Sequence, residues 1–156
     1  MAELSKFVDS EGRIRYDLIA EHGFRTGLVF DIFRGVEAEW LAEAIIASAH
    51  DMPSEIEAFS YDEGIIVDTK RLKPTRGTIL EYVLDKNLQH TIVTDGDTSF
   101  VAYFAQYRDF FLLCGKPDFL QTAYPVSPNT IRFQYFENVE LEAQRVPLDK
   151  IQFVHD

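Results

Sequence analysis

"SFVAYFAQYRDFFLLC", residues 99–114, is apolar on both sides of its alternation: Phe100, Ala102 and Phe104 fall on one parity, Val101, Tyr103 and Ala105 on the other. A strand with one face in water alternates apolar with polar residues, so a run without a wet side predicts strands covered on both faces. Ser99 to Gln106 and Asp109 to Cys114 read as two such strands, joined by a tight connection at Tyr107-Arg108. They predict the centre of a sheet.

Working outward, Gly115-Lys116-Pro117-Asp118 opens a short helix from Pro117 to Ala123, with proline in the first turn, where its missing N–H does no harm. Further on, Ile131, Phe133, Tyr135, Val139, Leu141 and Ala143 alternate with polar residues and predict one or two strands with a wet face. Ile151 to Val154 adds a candidate edge strand. Upstream, His90 to Thr94 reads as a strand, and Pro74 to Lys86 as a helix with Ile79, Leu80, Val83 and Leu84 on one face. Ile56 to Tyr61 and Ile65 to Lys70 flank Asp62-Glu63-Gly64 and read as a hairpin, with Gly64 free to supply a positive φ.

Glu37 to His50, rich in Ala, Leu and Glu and stopped by Met52-Pro53, is the clearest helix. Ala38, Leu41, Ile45, Ser48 and Ala49 group on one side of it; Glu39, Glu43, Ile46 and His50 lie opposite. Tyr16 to His22 predicts a short helix closed by Gly23, and residues 24–35 fit a strand or a helix equally. The sum is an α+β fold over residues 1–156: one domain, with a mainly antiparallel sheet of five or six strands packed against two main helices.

Composition narrows the function. Against 15 Lys and Arg stand 26 Asp and Glu, a net charge of -11, which disfavours nucleic acid and anionic membranes and suits a basic partner. No apolar run approaches the roughly 18 residues of a membrane span. The single Cys114 has no partner for an intramolecular disulfide and ends a core-like run, and the first residues lack a signal-peptide pattern. The expected setting is the cytoplasm. Acids are concentrated from Glu37 to Asp68, a span without Lys or Arg, and the basic run Lys70, Arg71, Lys73 and Arg76 follows to complement them, within the molecule or in a homodimer.

Residues 91–99, Thr-Ile-Val-Thr-Asp-Gly-Asp-Thr-Ser, resemble the first motif of haloacid-dehalogenase-type phosphatases, a strand ending in Asp-x-Asp-x-Thr. The resemblance implies Asp95 as nucleophile, Asp97 as acid/base and a Mg²⁺ ion between them. In that family, however, the motif opens the domain and leads into a helix, whereas Ser99 here leads into another strand. Asp-Gly between two apolar runs is also a strong hairpin signal. The histidines show no zinc-ligand spacing, and nothing in the sequence calls for a cofactor.

The expectation is therefore a non-catalytic protein that binds a basic partner. An immunity or inhibitor protein of bacterial type, neutralising a cationic nuclease toxin, is the concrete form. The candidate contact residues are Glu39, Glu43, Ile46, Asp62, Glu63 and Asp68, and Tyr107 and Phe136 are candidate exposed aromatics. A small Mg²⁺-dependent hydrolase using Asp95 and Asp97, and a small-molecule sensor with an aromatic pocket, are the alternatives.

Overall fold

The computed structural model describes residues 15, 17, 21, 23–29, 33–48, 55–63, 65–95, 99–108 and 110–126. The strands expected after residue 127, Phe136, Asp97 and most of the expected Tyr16–His22 helix lie outside them.

Among the described residues six antiparallel strands form one sheet: β1 (Arg25–Val29), β2 (Ile56–Asp62), β3 (Ile65–Leu72), β4 (His90–Thr94), β5 (Val101–Phe104) and β6 (Phe111–Gly115), in the order β1-β6-β5-β4-β2-β3. Among the described residues three helices of full extent accompany them: α1 (Gly35–Ser48), α2 (Arg76–Asp85) and α3 (Pro117–Ala123). The fold is α+β, as the sequence predicts. Among the described residues no helix is long and apolar enough to cross a membrane.

The register explains the two-sided apolar pattern. Ala58, Val93, Ala102 and Leu113 lie in one row across the sheet, with Phe104 and Phe111 in the next. These residues join Leu41 and Ile45 of α1, Ile79 and Val83 of α2 and Phe119 and Leu120 of α3 in one core. Within it Phe33 meets Phe104 edge-on at 4.7 Å and Phe111 at 5.4 Å. On the opposite face Phe59, Ile92, Tyr103, Leu112 and Cys114 are buried as well. Each buried large side chain contributes roughly 1.5–3 kcal/mol, so β4, β5 and β6 supply much of the fold's stability.

Local chemistry sets the helix ends. The Arg34 N–H donates to Glu37 Oε2 at 3.3 Å, half of a capping box, which accounts for a buried glutamate at the start of α1. Thr75, extended at φ -121°, accepts the Thr78 N–H at 3.4 Å and caps α2. Pro117 occupies the first turn of α3. Gly115 permits the approach of α3, since a Cβ there would lie 2.6 Å from the Phe119 ring.

Three details differ from the sequence reading. The undecided segment 24–35 contributes β1, whose pairing with β6 settles a run too short for periodicity to decide. On α2 the buried face is Ile79, Tyr82 and Val83, spaced i, i+3, i+4, while Leu84 is 51% exposed. At the β2–β3 turn Glu63 takes a positive φ, 51°, and Gly64 lies outside the described residues.

Candidate functional site

The end of the sheet formed by the β2–β3 turn, the α2–β4 connection and the β5–β6 turn gathers the unusual features of the molecule. Among the described residues, non-glycine residues with positive φ are Glu63 (51°), Tyr107 (64°) and Arg108 (58°), and all lie at this end. Left-handed backbone costs an L-residue about 1–2 kcal/mol, and for a bulky residue such as tyrosine it is a genuine outlier. Outliers of this kind persist only where their surroundings hold them.

Arg108 supplies the hold. Its guanidinium donates to the carbonyls of Val83, Lys86, Gln89, Phe104 and Ala105 and to the Thr91 hydroxyl, at 2.7 to 3.1 Å. Two of these carbonyls, Val83 and Lys86, lie at the C-terminal end of α2, where a cation also complements the helix dipole. Burial lowers the guanidinium to about 10, so it stays charged at neutral pH. Beside it the Tyr107 N–H donates to the Asn87 carbonyl at 2.8 Å, and Gln106 Nε2 donates to the Leu88 carbonyl at 2.8 Å.

A polar chain runs inward from the same residue. Arg108 Nη2 donates to Thr91 Oγ1 at 2.9 Å, Thr91 and Ser60 are bonded at 3.3 Å, Ser60 and Tyr82 at 2.9 Å, and the Tyr82 hydroxyl donates to Asp68 Oδ2 at 2.8 Å. A guanidinium at one end and a carboxylate at the other let every hydroxyl between them both accept and donate. That satisfies fully buried Ser60 and Thr91. Burial raises the Tyr82 phenol well above its ordinary value, so it remains a donor.

The outward surface of this end is apolar and acidic. Tyr107 is 65% exposed and Leu88, in the connection after α2, 60%, and Leu84 in the last turn of α2 is exposed as well. Tyr61 pairs with His90 and Thr91 with Phe104, so Asp62, Gln89 and Gln106 lie one step beyond neighbouring strands. Asp62 is thus two strand spacings, about 10 Å, from Gln106. Asp62 and Glu63 are exposed at this end, while Asp85, also exposed, lies 3.9 Å from Lys86. Tyr107 is among the aromatics the sequence marks as exposed. Leu84 is not, because an apolar residue on a helical pattern reads as core, and Leu88, beyond the expected helix, is not singled out.

The other predicted residues separate. Glu39, Glu43 and Ile46 are exposed together on α1, in one stripe with Val36. Glu39 lies 4.0 Å from Arg76, a pair exposed on both sides that joins one of the acids to one residue of the basic run. Arg76 opens α2 close to Leu72, which pairs with Ile56, whereas Asp62 and Glu63 lie at the far end of β2. Six residues at about 3.3 Å put the two acidic groups roughly 20 Å apart. Asp68 is partly buried and engaged by Tyr82, beside a shallow cleft of about 190 Å³ lined by Lys70, Glu81, Asp85 and Lys86.

Asp95 opens the connection between antiparallel neighbours β4 and β5, the hairpin the Asp-Gly signal predicts. Its carboxylate accepts the Ser99 N–H at 2.7 Å through Oδ1 and the Ser99 hydroxyl through Oδ2, so both oxygens turn back into their own loop. Among the described residues no three His, Cys, Asp or Glu are arranged to hold a metal ion. Cys114 is fully buried, and burial pushes its thiol up to about 12.

No protein-family model, curated protein or solved structure matches the chain.

Proposed function

We propose that this chain is a non-catalytic protein-binding protein whose acid-rimmed sheet end takes a basic partner, and that it acts as an immunity or inhibitor protein against a cationic toxin such as a nuclease. The observation that carries this reading is Tyr107, a large aromatic held at φ 64° and 65% exposed. Folding stability alone favours glycine at such a position. An exposed tyrosine whose N–H is bonded to Asn87, next in the chain to the exposed Leu88, has the makeup of an interface hot spot, an aromatic anchor with apolar surface nearby. Asp62 and Glu63, on a chain of net charge -11, would steer a cationic protein and speed its association.

The test is recovery of basic proteins from lysate on wild-type chain and on an Asp62→Lys, Glu63→Lys double variant, at low and high salt. The expected result is a basic protein held by wild type at low salt only, and lost or strongly reduced with the variant. Equal recovery on both baits would remove the sheet end from the interface.

A further inference from the structure

We propose that β3 is a homodimerisation edge, to which a second copy adds its own β3 antiparallel about a two-fold axis at Thr69. The axis sets Asp68 of each copy opposite the partner's Lys70.

Among the described residues β3 is the outermost strand on its side of the sheet, so one row of its backbone N–H and C=O groups has no strand partner there. Ile65, Ile66 and Val67 are 69%, 42% and 56% exposed on it. Folded proteins usually blunt such an edge with charge or a bulge, and β3 carries both, a bulge at Val67 and the charges of Asp68, Lys70 and Arg71, so a second strand is accepted only where opposite charges meet across the edge. Ser60 pairs with Asp68 and Tyr61 with Ile66, so Val67 is the extra residue of the bulge, and the stretch from Asp68 to Leu72 stays in regular register.

Symmetry then selects the pairing. In an antiparallel pair, wide and narrow residue pairs alternate, so a two-fold axis perpendicular to the sheet must pass between a residue and its own copy. An axis at Asp68 or at Lys70 opposes like charges. An axis at Val67 sets Asp68 against Ile66, and one at Arg71 sets Lys70 against Leu72. Only an axis at Thr69 places opposite charges directly across from each other within the strand, twice by symmetry. Lys70 is exposed and lines the cleft beside Asp68, so both members of each pair lie on the helix side of the joined sheet. The second copy is chosen over a foreign peptide because this edge carries both charges in self-complementary order.

Sedimentation of the full chain tests the pairing, read with a cysteine cross-link that reports the register. Wild type is expected to reach twice its 18.0 kDa as concentration rises. Lys70→Glu, a change at an exposed position that faces the partner's Asp68, is expected to stay monomeric with an unchanged circular dichroism spectrum. Thr69→Cys is expected to oxidise to a linked dimer far faster than Val67→Cys, because only residue 69 meets its own copy within disulfide reach. A wild type that stays monomeric at every concentration overturns the proposal. So does a dimer that survives Lys70→Glu, or one in which both cysteines cross-link alike. The proposal is independent of the basic-partner reading, and Lys70→Glu leaves the Tyr107 surface untouched, so either can fail alone.

Discussion

Replacing Arg108 by methionine keeps most of the aliphatic stem and removes the head that ties α2, β4 and β5 together. The guanidinium donates to five carbonyls, those of Val83, Lys86, Gln89, Phe104 and Ala105, and to one hydroxyl, that of Thr91. A hydrogen bond from a charged donor is worth about 1.5–3 kcal/mol net, but bonds from one head do not add, and water can reach the more open carbonyls once the head is gone. A cation at a helix C-terminus adds about 0.3–1 kcal/mol. Against this, the left-handed backbone at Tyr107 and Arg108 is free to relax, returning about 1 kcal/mol. The expected net loss is about 3 kcal/mol in urea unfolding, with little change in slope because the surface exposed on unfolding is the same. Arg108→Lys should recover less than half, since a single ammonium cannot span the end of α2 and the ends of two strands at once. A loss below about 1 kcal/mol for the methionine variant would refute the assignment of Arg108 as the organiser of this end.

Tyr82→Phe removes the hydroxyl that links Ser60 to Asp68 and should cost about 1–2 kcal/mol by the same denaturation assay, with a cost near zero arguing against the polar chain. The buried Cys114 thiol keeps its proton in the folded state up to about 12, whereas the unfolded thiol loses it near 9. The folded chain therefore binds more protons between these values, and stability falls as pH rises through the window by up to about 1.4 kcal/mol per pH unit from this group, with no effect below it. Cys114→Ala should flatten that alkaline limb in pH-dependent melting, while the Tyr82 phenol, raised in the same direction, leaves a remainder. Identical limbs for the two proteins would contradict the buried thiol.

Much of the fold is legible in the chain because burial on two faces writes itself into composition. The residues from Ser99 to Cys114 could hardly be anything but central strands, and the Glu39, Glu43 and Ile46 side of α1 follows from the helical period. The sequence misplaces Leu84 for a physical reason: apolar character nominates it for the core, yet the i, i+3, i+4 geometry of Ile79, Tyr82 and Val83 gives that place to a tyrosine whose hydroxyl finds Ser60 and Asp68. Asp68 looks like a free carboxylate until Tyr82 is set against it. β1 stays ambiguous because its partner, β6, is some 90 residues away in the chain. Nor does anything local announce Arg108, whose acceptors are mostly backbone carbonyls that every residue carries. Tyr107 could be marked as exposed from its place in a tight connection, but its left-handed backbone could not.

The most direct test of the proposed function is Tyr107→Gly, with melting temperature and binding of the basic partner measured on the same preparation. Glycine adopts φ 64° without strain, so a tyrosine retained for recognition predicts a melting temperature unchanged or raised together with binding lost. A lowered melting temperature with binding intact would make Tyr107 a structural residue and contradict the account.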